Sequence, residues 1–472
     1  MSQDYNIDTN ISFSKLAKII NAEINFNHKG VARSICLDSR NIKIGDVFVA
    51  ILGEESDGHQ FVDHAINNGA IASIISDKKK FNENKSPFFL VEDTYEALRD
   101  ISDYLTQQNN ALRIAITGSV GKTTTKNYLH SILKNYGNTV SSPQSFNNYL
   151  GVILSRSKVE KDTDYAIFEV GMNKQNEISK LSHLIRPNIA IITNIGEAHI
   201  GNLGSKESIA IEKTKIMDGM DKEGLVIIPR DSEFYDLLIN AVKQKELSYI
   251  TFGKNIKADI NISKIERSAN ISKINLNIYG EKYVFETALQ NLNLIDNYLP
   301  ILGVASHYNF NFDEVLKHLG SVEQGDGRWK EIVFEINTGA VTLVDDSYNA
   351  SPTSVMAAIE SIDKYSNPSI KRKIVILGDM LELGDLTDEY HSRLIEFINT
   401  SSIDDVYLCG PIMESHFKNI KRQKKRKWFD TVESISINND FDIKAGDLIF
   451  LKGGNKIKIS KLVKEFINHL KI

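Results

Sequence analysis

The stretch that most restricts what this chain can fold into is Leu112 to Lys126, LRIAITGSVGKTTTK. An apolar, β-branched run through Ile114, Ala115 and Ile116 ends in a tight turn with Gly118 and Gly121, and Lys122 with three threonines then opens a helix. Strand, glycine turn and helix in that order form a phosphate cradle. The glycines let the backbone approach an anion and aim its N–H groups at it, and the helix N-terminus adds partial positive charge. Lys122 reaches the outer phosphates and a threonine hydroxyl can ligate Mg²⁺. The strict P-loop spelling wants glycine five residues before Gly121, where Ile116 stands, so this is a shortened variant. ATP is the expected ligand, held by Gly118, Ser119, Gly121, Lys122, Thr123 and Thr124.

A chain of 472 residues is too long for one core and suggests about three domains. The net charge of −5 gives no reason to expect nucleic acid or an anionic membrane surface as partner. The basic run Lys418 to Lys427, KNIKRQKKRK, is read as a solvated surface segment. Two cysteines, Cys36 and Cys409, lie far apart without metal-like spacing, which argues against a disulfide framework or a zinc site. The N-terminus lacks a basic start before an apolar core, and no run of about eighteen apolar residues occurs. A reducing cytoplasm is the expected compartment, with no membrane insertion.

In order, residues 12 to 20 have helical apolar spacing behind Ser12, and strands then alternate with Gly-Asp and Asp-Gly turns and a helix from Gln60 to Asn68. This is a compact α/β unit without a P-loop. Its polar loop residues Asp38, Ser39, Arg40, Asp57, Gly58 and His59 can bind a ligand or make ordinary turns. From Arg113 onward strands and helices alternate as in a doubly wound, mostly parallel sheet. Glu169 falls close to the end of an apolar strand, at the edge where ligands of such sheets gather, and is a candidate Mg²⁺ ligand. The next strand runs into His199 on the same edge. The helix after it carries Lys213, which composition alone would leave solvated. The glycine-rich stretch Glu323 to Trp329 marks a boundary, and beyond it strands near AVTLVDDSYNASP, KIVILGDMLELG, DDVYLCG and DLIFLKGG form a second parallel sheet with no P-loop.

Taken together, ITGSVGKTTT, FEVGMN, ITNIGEAHI, DDSYNASP and LGDMLELG resemble the Mur ligase family, and the likeness spans nearly the whole chain. DSYNASP and LGDMLELG are similar to members that add a D-alanyl-D-alanine dipeptide. The resemblance implies three domains: a uridine-nucleotide-binding unit over 1–110, a central ATP-binding domain over 111–320 and a Rossmann-like domain over 321–472 that closes on the ATP site. It implies Lys122, His199 and Lys213 as catalytic residues, and Thr123, Glu169, His199 and Lys213, the last as a carbamate, around Mg²⁺. Asn297 matches an adenine contact, Arg328 an arginine at the start of the third domain, and Asp346 and Asn349 a nucleotide-facing turn. Asp38, Ser39 and Arg40 would face the uridine end of the substrate, with Asn147 and Asn148 near its muramoyl-peptide portion. Two departures stand out. Asn293 replaces a histidine common four residues before the adenine-contacting asparagine, and Lys452-Gly453-Gly454-Asn455 replaces a common Lys-Gly-Ser-Arg.

The reaction implied is ATP-dependent amide formation between UDP-N-acetylmuramoyl-tripeptide and D-Ala-D-Ala through an acyl phosphate, carried out by a monomer with a hinge near residues 318 to 328. Three alternatives stay open at this point. They are a ligase of the same architecture with another acceptor, such as a folylpolyglutamate-type enzyme, a non-enzymatic P-loop binding module, and a sugar or nucleotide kinase.

Overall fold

The fold was analysed in a computed structural model. The structure describes residues 6–26, 29–53, 56–78, 86–107, 109–268, 271–289, 291–322, 324–336 and 339–471. Glu323, at the head of the glycine-rich stretch, lies outside these. The chain divides into two compact units, one made of 1–114, 136–169 and 183–186, the other of 115–135, 170–182 and 187–472.

The first unit is built on β1 (Asn6–Ser12), β2 (Glu23–Ile24), β3 (Val31–Cys36), β4 (Asp46–Val49), β5 (Ala72–Ile75) and β6 (Phe88–Leu90), in sheet order β1-β3-β4-β5-β6-β2. The four inner strands run parallel and the two edges antiparallel. β4 and β5 are buried along their whole length, which is why they read as continuous apolar runs instead of alternating ones. Ser12 sits at the cap position of helix Phe13–Ile19 without a side-chain cap bond. The expected helix near Gln60 begins as a 3₁₀ turn over Gly58–Phe61 and continues as Val62–Asn67. Helix Thr94–Thr106 is capped by Asp93, whose carboxylate accepts from the Tyr95 and Glu96 amides. Its Ala97, Leu98 and Ile101 are buried, and Asp103 accepts from Arg156 at 2.6 Å on helix Tyr149–Arg156. The same unit holds the parallel pair β8 (Thr139–Ser141) and β9 (Tyr165–Glu169).

In the second unit, the end of β7 (Leu112–Thr117) lies beside β10 (Ile189–Ile192), followed by β11 (Leu225–Pro229), β12 (Ser248–Gly253), β13 (Ile260–Glu266), β14 (Ser272–Ile278) and β15 (Glu281–Thr287). β10 to β13 run parallel, and β14 and β15 extend the sheet as an antiparallel meander. Helix Leu299–His307 is buried on nearly every side, so its sequence is apolar all round.

The unit's other sheet comprises β16 (Lys330–Ile336), β17 (Gly339–Asp345), β18 (Arg372–Gly378), β19 (Asp405–Cys409), β20 (Lys425–Phe429) and β21 (Asp447–Lys452), in the order β16-β17-β21-β18-β19-β20. All pairs except the β16–β17 hairpin are parallel. Helix Ile459–Leu470 closes the core beneath it with Leu462, Val463, Phe466 and Leu470. The basic run departs from a uniformly solvated segment. Lys424 is 6% exposed and donates to the carbonyls of Ser401 (2.7 Å) and Ile403 (2.5 Å), and the residues after it form β20. Cys36 and Cys409 are both buried on strands, as expected of small core residues.

Candidate active site

β7 ends at Thr117, and the turn beyond it is shaped by close approaches that only glycine permits. A Cβ on Gly118 would lie 1.8 Å from Thr193 Oγ1, and one on Gly121, at φ +85°, would lie 2.1 Å from Asn297 Oδ1. Helix Lys122–Leu133 starts immediately after. The loop is braced from β10: Val120 N donates to Asn194 Oδ1 (2.8 Å), Thr193 Oγ1 to Val120 O (2.6 Å), and Ser119 Oγ exchanges bonds with the carbonyl and amide of Gly196 (3.0 and 2.8 Å). Lys122 Nζ folds back onto Gly118 O at 2.7 Å, beside the cradle it would serve.

Lys213, on helix Lys206–Thr214, is 2% exposed, against the solvated position that composition suggests. Burial drives its ammonium well below the usual lysine range, the Lys122 charge pushes the same way, and Glu212 opposes both. A neutral amine is the form that adds CO₂. His199 takes a left-handed backbone at φ 66°, with Nδ1 2.6 Å from Glu382 Oε2. The same contact holds the Glu382 carboxyl below its ordinary value.

The turn after β17 is gathered around Lys452, whose Nζ donates to Asp346 Oδ2 (2.6 Å) and to Asn349 O (3.0 Å). Burial pushes the Asp346 carboxyl up, while the Lys452 and Arg328 charges pull it down. Arg328 donates to Thr123 Oγ1 at 2.8 Å, and its guanidinium lies 4.0 Å over the Tyr348 ring. Asn297 accepts from Thr125 Oγ1 at 3.3 Å, so Thr123, Thr125, Asn297, Arg328 and the Asp346 turn are gathered about the start of one helix. Asn293, where the resemblance leads one to expect histidine, donates to Ala357 O and Ser361 Oγ, both at 3.1 Å, and ties its 3₁₀ segment to helix Pro352–Asp363.

In the first unit, Glu169 is 1% exposed at the end of β9 and accepts from Asn147 Nδ2 at 2.9 Å. Asn148 caps helix Tyr149–Arg156 by accepting from Gly151 N. Arg40 makes a two-pronged ion pair with Asp38 (2.8 and 2.7 Å), and that contact holds the Asp38 carboxyl below its usual range. Ser39 is buried 3.0 Å from His64 Nδ1. His59 is oriented between Asp57 and the Ser76 amide, and such satisfied turn chemistry is sufficient reason for its place.

Sequence reasoning overlooked Asn194, Lys452 and Glu382 as working parts. Asn194 follows a strand at the ligand edge, and Glu382 sits in LGDMLELG, so position was the available signal. Thr123 offers a hydroxyl beside the cradle, an oxygen donor of the kind that Mg²⁺, a hard cation, takes. In the first unit the Glu169 carboxylate at the end of β9 is a donor of the same type.

Three family descriptions match the chain: the "Mur ligase middle domain" over residues 116–305, the "Mur ligase, glutamate ligase domain" over 327–455 and the "Mur ligase family, catalytic domain" over 32–105. The UDP-N-acetylmuramoyl-tripeptide--D-alanyl-D-alanine ligase of Rickettsia prowazekii is 32% identical over 429 residues, 90% of this chain and 93% of the relative. The Bacillus subtilis protein of the same name is 30% identical over 446 residues, 93% of each. Among solved structures, a MurF from Acinetobacter baumannii is 26% identical with a TM-score of 0.84, covering 97% of this chain and 99% of that one. The MurF ligase of Thermotoga maritima in complex with ADP, also 26% identical, gives 0.79 over 93% and 97%.

Proposed function

We infer the function from one premise: the chain belongs to the Mur ligase family. It is an ATP-dependent ligase that joins the terminal carboxylate of UDP-N-acetylmuramoyl-tripeptide to the amine of D-alanyl-D-alanine in peptidoglycan precursor synthesis. The observation that carries this is likeness over nearly the full length of relatives bearing that activity in their names, at 32% and 30% identity.

A carboxylate is a poor electrophile. The reading we adopt is that its oxygen first attacks the γ-phosphorus of ATP, expelling ADP, and that the dipeptide amine then attacks the acyl carbon, expelling phosphate. Phosphoryl transfer needs positioning and charge neutralisation more than covalent help. Like charges 4 Å apart cost on the order of 4 kcal/mol at an effective dielectric near 20. In this reading Lys122 leaves Gly118 O for the outer phosphates, and the Gly118 to Thr124 amides hold the triphosphate. Arg328 and the Asp346–Asn349 turn meet the nucleoside side, and Asn297 the base. Thr123, Glu169, His199 and a carbamylated Lys213 would hold Mg²⁺, which supplies further charge neutralisation when bound. Asp38, Ser39 and Arg40 would bind the uridine end of the acid substrate, with Asn147 and Asn148 near its muramoyl-peptide portion.

The proposal includes the domain limits 1–110, 111–320 and 321–472, a monomer, and a place in the cytoplasm. No helix among the described residues is long and apolar enough to cross a membrane. The test is phosphate release from ATP and Mg²⁺ with UDP-N-acetylmuramoyl-tripeptide, with and without D-Ala-D-Ala, with mass analysis of the product. Release that requires both, with the UDP-linked pentapeptide as product, is expected. ATP turnover that neither substrate alters would overturn the substrate assignment.

A further inference from the structure

The segment Thr193–Gly201 has two faces. One braces the P-loop through Asn194 on Val120 N and Gly196 on Ser119. The other meets the loop after β18 and the first turn of helix Pro352–Asp363, which flank the sheet built on β16 to β21. Gly201 N donates to Glu382 O at 3.0 Å, His199 Nδ1 lies 2.6 Å from Glu382 Oε2, and the Thr353 hydroxyl donates to Glu197.

Two features show that this contact is built closely. Glu382 and His199 face one another with φ of 63° and 66°, left-handed values that are uncommon for residues other than glycine. A Cβ on Gly201 would lie 2.6 Å from Gly384 N and 2.9 Å from Glu382 O, so the two backbones touch at a point where no side chain fits. A carboxylate against an imidazole nitrogen sets the direction in which the ring presents its other nitrogen.

We propose that Glu382 is a positioning residue for ligation: carried on the loop after β18, it docks on the Thr193–Gly201 segment, orients His199 and, through Asn194 and Gly196, steadies the P-loop. The nucleotide cradle then holds its working shape only while the second sheet is docked. This inference rests on the ligase reading for its kinetic arm alone.

The test uses the full chain with spin labels at Asn240→Cys and Glu396→Cys, both exposed positions, the native cysteines being buried. The label separation is measured with ADP present, and kcat and the KM for ATP are measured beside it. Glu382→Ala and Gly201→Ala should broaden the separation. Glu382→Gln, which keeps the backbone bond and the size, should keep the melting temperature while lowering kcat and raising the KM for ATP, a combined loss of roughly 10–100-fold that Glu382→Asp partly restores. Separations and kinetics within about twofold of the parent in all variants would overturn the proposal, as would losses that only track the unfolded fraction. If the variants release the docked separation but the parent makes no amide, the ligase reading fails and the docking role stands.

Discussion

Burial and a neighbouring ammonium together favour the neutral form of Lys213. Between its lowered native value and the ordinary 10.5, the unfolded chain binds a proton that the native chain does not. Stability should therefore rise with pH across that window, by about 1.4 kcal/mol per unit where both conditions hold. Lys213→Met is expected to abolish amide formation while keeping or raising stability near neutral pH and flattening that slope, measured as urea midpoints over a pH series in CO₂-free buffer. Lys452 gives the opposite case. Lys452→Met leaves Asp346 without its buried partner, and a loss of about 3 kcal/mol is expected in denaturant unfolding, with weaker ADP binding by calorimetry. At this scale the sequence was readable where a residue's local setting follows from its neighbours in the chain. Gly118, Lys122 and Thr123 could be picked out from one line of text. Lys213 could not, because whether a helix lysine is solvated depends on what packs over it. Neither could the Arg328–Thr123 and Glu382–His199 contacts, whose partners lie far apart in the chain.

Elements were legible wherever periodicity had one explanation. The buried runs of β4, β5 and β21 and the strand-turn-helix order of both sheets in the second unit follow from their apolar patterns. Boundaries and caps were less so. Ser12 occupies a cap position without capping, whereas Asp93, not singled out in the sequence, bonds two amides at the head of helix Thr94–Thr106. Asp93→Ala is expected to cost about 1 kcal/mol, seen as a lower midpoint for the first unit with the ligase reaction otherwise intact. The basic run shows the limit of charge patterning. Most of it is exposed, but Lys424 turns inward to two carbonyls, because a lysine stem can cross an apolar layer and place its ammonium on backbone oxygens.

For the whole molecule, length and alternating elements were enough to read a multi-domain α/β chain, while the packing between distant segments was not. The P-loop lies in the second unit, so ADP at about 100 times its dissociation constant should stabilise that unit by roughly 2.7 kcal/mol. A hydrogen-exchange experiment with and without ADP would show protection at β10, β11 and β17, and equal protection across β1 to β6 would count against nucleotide binding at this loop. The two buried cysteines add a practical consequence. Cys36 belongs to the first unit and Cys409 to the second, and burial pushes the Cys409 thiol up to about 12. Neither thiol meets a colorimetric disulfide reagent while its unit stays folded. The two reaction phases therefore clock how often each half of the native chain opens, without any label being engineered.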